Sequence, residues 1–455
     1  IIKMIATTFT RLKPILLIGL FFSIGFVNGQ TITISSTGQT GTSGTNWSSS
    51  GINPVTITAT GDANINASVV VGYLNAGKSV IINSNSNIQI DNNIVSTSAN
   101  SSSLTFKANF HIVQAAGVTI STNGGSVTYW TDSDNNGSGN IFFSGAASVS
   151  TNGGNITLAG GADSGGSPAG YTSQIYATGH FTASSNGGNI LLKSISGSVY
   201  TSSYFGRGDF NAGSGSITFD AQQIGTQVGL FFSGPVNITS TKNSGTAISL
   251  TGTANSSYGV LFNSVASTVS TIKSTGGGAI IINGSSVNPS SGSIPGIYLF
   301  ADVLSSSGAI TINGGAAGIV MSSSGTSVVG QKTGQVNTSS SNISVVADRI
   351  DASDPNTLLS VVSSGTGSIT SSGASFSNTL DLTRITFGNT LSGLTLGKPS
   401  NTSDIGIGAN TSIAGPVNVF ANAIFISADL NTTNTTTGDV TFNAATVTGT
   451  GNITL

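Results

Sequence analysis

Cysteine and glutamate are absent from the 455 residues, and only 6% of the chain is charged. Without cysteine there is no disulfide and no thiolate metal site. Without glutamate all 15 acidic residues are Asp. A chain so poor in Glu and Lys, and so rich in Gly, Ser, Thr and Asn, is not mainly helical, because those residues weaken helices. Low charge and abundant Ile, Val and Thr exclude disorder, which needs the reverse composition. A net charge of −2 leaves no basic footprint for nucleic acid.

What is present begins with an export signal. Lys3, Arg11 and Lys13 precede the apolar run Ile15–Val27, and Gly29 offers a small residue for cleavage before Gln30. Residues 1–29 therefore read as a signal peptide, too short in its apolar part to span a bilayer. No later stretch is apolar enough to span a membrane. Residues 30–455 carry ten basic residues and 15 Asp, a formal charge of −5.

The rest repeats. A Gly or Asn-Gly turn, a small polar residue and an alternating apolar strand recur as GGSVTYW from Gly124, GGNITLAG from Gly153, GGNILLKS from Gly187 and GSITFDA from Gly215. Taking one apolar residue per unit gives Ile57, Ile81, Leu104, Val127, Ile156, Ile190, Ile217, Ile248, Ile280, Ile310, Ile343, Ile369, Leu394, Val417 and Val440, spaced 23–34 residues apart. The middle units hold two further strand-like pieces each, such as VGLFFSG and PVNITSTKNSG. Three short strands per unit with Gly and Asn corners describe one coil of a β-solenoid, whose apolar face is buried only by stacking on its neighbours. The expected fold is all-β, a right-handed parallel β-helix of about 15 coils rising about 4.8 Å each. Ile190, Ile217, Ile248 and Ile280 should form an inward ladder, with Thr218 outward. Residues 30–50 lack the repeat and read as an N-terminal cap with Trp47 over the open core. Residues 51–455 form the β-helix, which stops inside a fresh repeat and so reads as truncated.

The strings GGNITLAGG and SVTYWTDSDNNGSGNIFF resemble the haemagglutination-repeat class of bacterial surface proteins, the filamentous-haemagglutinin-like adhesins, over about residues 50–455. The resemblance implies secretion to the bacterial cell surface, through outer-membrane secretion machinery, and attachment to surface glycans or to receptors on host or neighbouring cells. Members exported through a dedicated partner carry Asn-Pro motifs near the N-terminus. Here Asn53-Pro54 is the suggestive pair, followed by Val55.

Candidate chemistry is sparse. Asp132, Asp134 and Asn136, with Gly137, match the first half of an oxygen-ligand calcium loop, but Phe143 stands where the bidentate acid belongs. They make a weak calcium site or an Asx-rich corner. Arg207-Gly208-Asp209 matches a receptor-recognition tripeptide or a coil corner. Asp348, Asp351 and Asp354 recur at spacing three, which does not place carboxylates across a cleft from one another. His111 and His180 stand 69 residues apart, in no ligand spacing. The expected function is a non-enzymatic adhesin or structural rod without a resident cofactor. The alternatives are a polysaccharide lyase or hydrolase, which needs acids and bases gathered on adjacent coils, and an ice- or mineral-binding solenoid, which needs Thr ladders in register.

Overall fold

The computed structural model describes residues 30–197, 201–263, 269–288, 294–321, 325–352, 357–434, 436 and 438–455. Residues 1–29, read above as a signal peptide, and Asp354 lie outside the described residues. The chain is a three-faced parallel β-helix. A typical coil gives one strand to each face, as in Val127–Thr131, Asn140–Phe143 and Ala147–Ser150, before the next coil opens at Ile156–Asp163.

The first face is a continuous ladder of parallel strands from Val55–Ala59 to Val440–Asn443. Its strands alternate, so one side chain in two points inward. In Ile217–Gln223, Ile217, Phe219, Ala221 and Gln223 are buried while Thr218, Asp220 and Gln222 face out. Ile190, Ile217, Ile248 and Ile280 pair in register and are at most 1% exposed. Each contributes roughly 1.5–3 kcal/mol by leaving water. Rings add to this on the second face, where Phe205, Phe232 and Phe262 stack at 5.7 and 5.0 Å between centroids.

Three residues of the sequence ladder sit elsewhere. Val55, Val80 and Leu104 share the inward rung, so Ile57 is two residues along and Ile81 points outward. Ile369 pairs with Val345 and Leu396, while Gly367 occupies the rung between Ile343 and Leu394.

The corner before the first face explains the repeated Gly-Gly. Thr122, Thr151 and Ser185 are buried, and their hydroxyls donate to the carbonyl oxygens of Gly125, Gly154 and Gly188. Those second glycines stack directly. A Cβ on Gly154 would stand 2.2 Å from the carbonyl oxygen of Gly125, and one on Gly188 would stand 2.0 Å from that of Gly154. Asn152 and Asn186 take φ of 49°, a left-handed conformation that Asn tolerates. Their side chains form a ladder, Asn186 Nδ2 to Asn152 Oδ1 at 2.9 Å and Asn152 Nδ2 to Asn123 Oδ1 at 2.7 Å.

Residues 30–50 are not a lid throughout. Ile32–Ser35 is an interior strand of the second face, between Ala63–Asn66 and Ile88–Ile90. Trp47–Ser50 pairs antiparallel with Val55–Ala59 and covers the outer edge of the first face. Trp47 is buried there, with Nε1 3.1 Å from Gln39 Oε1. The helix Ala67–Asn75, which the composition did not predict, starts at Asn66, whose side chain caps the Ser68 N–H, and buries Ala67, Val70 and Leu74 against the first coils. Among the described residues no helix is long and apolar enough to cross a membrane.

Toward the C-terminus, among the described residues, no strand pairing joins Ile350–Asp351 to Leu380–Asp381 on the second face or Ile385–Phe387 to Thr411–Ile413 on the third. The first face runs on through both gaps.

Candidate functional site

Among the described residues, a flap lies over the outside of the first face. Strand Ile156–Asp163 overruns its neighbours, and the chain returns antiparallel as Pro168–Gly170. Gly161, at φ 81°, lets the two arms approach, since a Cβ there would lie 3.0 Å from Gly170 Cα. Trp130 lies beneath, 1% exposed although on the outer side, and donates from Nε1 to the Gly161 carbonyl oxygen at 2.7 Å.

One end of the flap is held by Lys107, whose Nζ is 4.1 Å from the Trp130 ring centroid and 3.1 Å from Asp163 Oδ2. The Gly166 N–H first, and Lys107 second, hold the Asp163 carboxyl below its ordinary range. At the other end Tyr171 OH donates to Asp220 Oδ2 at 2.7 Å and accepts from Gln222 Nε2 at 2.8 Å, with Lys193 Nζ 4.5 Å from its ring centroid. Burial, and then Asp220, push the Tyr171 phenol up to about 12. At neutral pH that phenol stays protonated and donates a hydrogen bond. The flap thus presents two carboxylates, two ammonium groups and a phenol edge, an arrangement suited to hydrogen-bonding a polar ligand.

Sequence reasoning missed this cluster because it joins residues from Lys107 to Gln222. The signal that marks it is the widest spacing in the repeat, the 34 residues from Ile156 to Ile190, with Ser164-Gly165-Gly166-Ser167 inside.

The residues singled out in the sequence have other surroundings. Asp132, buried and at φ 52°, accepts from the backbone N–H groups of Gly137 and Ser138 at 2.9 and 3.2 Å. Burial raises its carboxyl above the ordinary value against those bonds, with Asp134 adding to the rise. Asp134 Oδ2 accepts from Asn136 Nδ2 at 2.8 Å, and Asn136 Oδ1 from Ser138 N at 2.9 Å. The loop's oxygens are thus hydrogen-bonded to the loop itself. Among the described residues no three His, Cys, Asp or Glu side chains gather as a metal would require.

Arg207-Gly208-Asp209 lies within strand Ser203–Asn211, and Asp209 is engaged by His180 Nε2 at 2.6 Å and Asn237 Nδ2 at 2.7 Å. Asp348 Oδ1 anchors a turn through Ser372 Oγ and Gly373 N, both at 2.7 Å, and Asp351 stands on the second face opposite Val320. His111 is a corner residue. Its N–H donates to Asn87 Oδ1 and its Nδ1 accepts from Asn140 N, both at 3.1 Å, so it continues an axial ladder of side-chain acceptors.

The chain matches no family model, no curated protein and no solved structure.

Proposed function

We propose that the chain is a secreted, surface-exposed adhesive rod of the filamentous-haemagglutinin-like kind, holding glycans or neighbouring cells by many weak contacts and turning over no substrate. The observation that carries this reading is the register of the outer side chains. Thr311, Ser344, Ser368, Thr395, Asn418 and Thr441 form one column along the C-terminal part of the first face, a hydroxyl or carboxamide at each of these six successive coils. Such a column repeats one weak contact every 4.8 Å or so, and linked weak contacts add to strong avidity. Leu191 and Ile281 stand among the Thr and Ser of the same column, which disfavours an ice-binding ladder.

The competing reading, a β-helix lyase or hydrolase, draws on the flap, where acids and lysines meet on adjacent coils. A glycosidase needs two carboxyls facing each other across the scissile bond, whereas Asp163 and Asp220 stand at opposite ends of the flap, each already engaged, Asp163 by Lys107 and Asp220 by Tyr171. Deleting the gene should reduce attachment of the cells to surfaces or to one another, and the purified chain should leave a panel of polysaccharides uncut. Normal attachment together with depolymerisation of one polysaccharide would replace the rod with the enzyme.

A further inference from the structure

Six Asn-Gly pairs occur among the described residues, at Asn123, Asn136, Asn152, Asn186, Asn283 and Asn313. In an Asn-Gly pair the Gly nitrogen can attack the Asn side-chain carbon, so the disposition of three groups decides the outcome: the attacking N–H, the carboxamide oxygen and the departing amide nitrogen. At the corners the attacking atom is held in the coil stack. The N–H groups of Gly124, Gly153 and Gly187 donate to the carbonyl oxygens of Thr151, Ser185 and Ala212 at 2.6–2.8 Å. Asn283 and Asn313 lie within strands Ala279–Ser286 and Ile310–Gly315.

The loop at Asn136 differs. The Gly137 N–H points at a carboxylate, Asp132 Oδ1, at 2.9 Å. The carboxamide oxygen of Asn136 accepts from Ser138 N at 2.9 Å, where it would gain negative charge on attack. The amide nitrogen that must leave donates to Asp134 Oδ2 at 2.8 Å. Asn136 and Gly137 are exposed, so water reaches the product.

We infer that Asn136-Gly137 is a self-modifying site, at which the folded loop converts Asn136 into a succinimide and then into aspartate and isoaspartate. The Gly137 nitrogen forms a bond to Asn136 Cγ while Asp132 takes up the Gly137 proton. The Ser138 N–H stabilises the oxyanion, as donors fixed at a developing charge do. The Cγ–Nδ2 bond then breaks, and ammonia leaves carrying that proton. Water adds to either ring carbonyl and opens it, giving Asp or isoAsp at 136. The net change consumes one water and releases one ammonia, and no oxidant or reductant takes part. It adds one negative charge beside Asp132 and Asp134.

Folding ordinarily slows this chemistry by holding the backbone still, so the decisive comparison is the wild-type chain against itself. The folded chain and the chain unfolded in urea are incubated in the same buffer, and peptide mapping by mass spectrometry follows the conversion of each Asn-Gly pair. The expected result is that Asn136 converts faster folded than unfolded, while Asn123, Asn152, Asn186 and Asn313 convert more slowly folded. Asp132→Asn should slow Asn136 roughly 10- to 100-fold in the folded chain, at or below the low end of what a positioned proton acceptor supplies, and should leave the unfolded rate unchanged. Folded conversion of Asn136 no faster than unfolded overturns the inference, whether or not the Asp132 variant folds. So does an Asp132 variant that folds and converts at the wild-type rate.

Discussion

Replacing His111 by Asn should remove most of a pH dependence that the wild-type rod shows in mild acid. His111 is 8% exposed, its ring lies 3.6 Å from that of Phe110, and its Nδ1 accepts from Asn140 N. Burial lowers its pKa from 6.5 to about 4. Above about pH 6.5 the imidazole is neutral in both folded and unfolded chains and adds no pH dependence. As the pH falls below that, the unfolded chain takes up the proton and the folded chain does not, so stability declines and levels off below about pH 4. The gap of about 2.5 pH units at about 1.36 kcal/mol each amounts to roughly 3 kcal/mol. An Asn at this corner does not titrate, and its Oδ1 can accept from Asn140 N as Asn87 Oδ1 accepts from His111 N. The assay is urea unfolding of both proteins at about pH 7.5 and about pH 4, where the midpoint shift reports the stability change. Fluorescence of Trp47 and Trp130, both buried in the N-terminal coils, provides the signal. The wild type should lose about 3 kcal/mol more than His111→Asn between the two conditions. Equal losses would refute the reasoning, because they would mean that His111 takes up its proton within the folded coil.

Three further outcomes are expected. Ile217→Asp should cost several kcal/mol, since its carboxylate enters the core without a partner, whereas Thr218→Asp should be nearly neutral; equal thermal midpoints would show the register to be wrong. Gly188→Ala should cost about 3 kcal/mol because the new Cβ meets the backbone of the coil below, while Gly72→Ala, with nothing within 4 Å, should gain about 0.5–1 kcal/mol in the helix Ala67–Asn75; urea midpoints read both. Calorimetry should find calcium at the Asp132 loop no tighter than about 0.1–1 mM, with any heat lost in Asp134→Ala; a micromolar site would contradict a loop whose oxygens are bonded to its own amides.

The coil was legible because stacking forces each rung to repeat its residue type, and Ile190, Ile217, Ile248 and Ile280 show this directly. Where a rung loses its side chain the pattern slips. Gly367 fills its place without an apolar group, so Ile369, two residues on, reads as the rung. At Val80-Ile81-Ile82 three apolar residues run together, and alternation alone does not say which of them points inward. The helix at Ala67–Asn75 runs against propensity, with three consecutive Val and a Gly; its cap at Asn66 and its burial outweigh that bias. The flap was hidden for another reason. Trp130 is buried on the outward side, and only a segment about 30 residues later in the chain covers it. The Asp132 loop was legible as a motif, but the direction of its hydrogen bonds was not.

The interruptions near the C-terminal end bear on mechanics. Through the middle of the rod a pull or twist is shared by hydrogen-bonded ladders on all three faces. Among the described residues, no strand ladder joins Ile350–Asp351 to Leu380–Asp381 or Ile385–Phe387 to Thr411–Ile413, and the ladder through Thr366–Thr370, Gly393–Leu396 and Val417–Phe420 spans both gaps. The rod is therefore stiff over most of its length and compliant at one height. Under load in a single-molecule pulling experiment, extension should begin there, leaving the coils on either side to hold their shape.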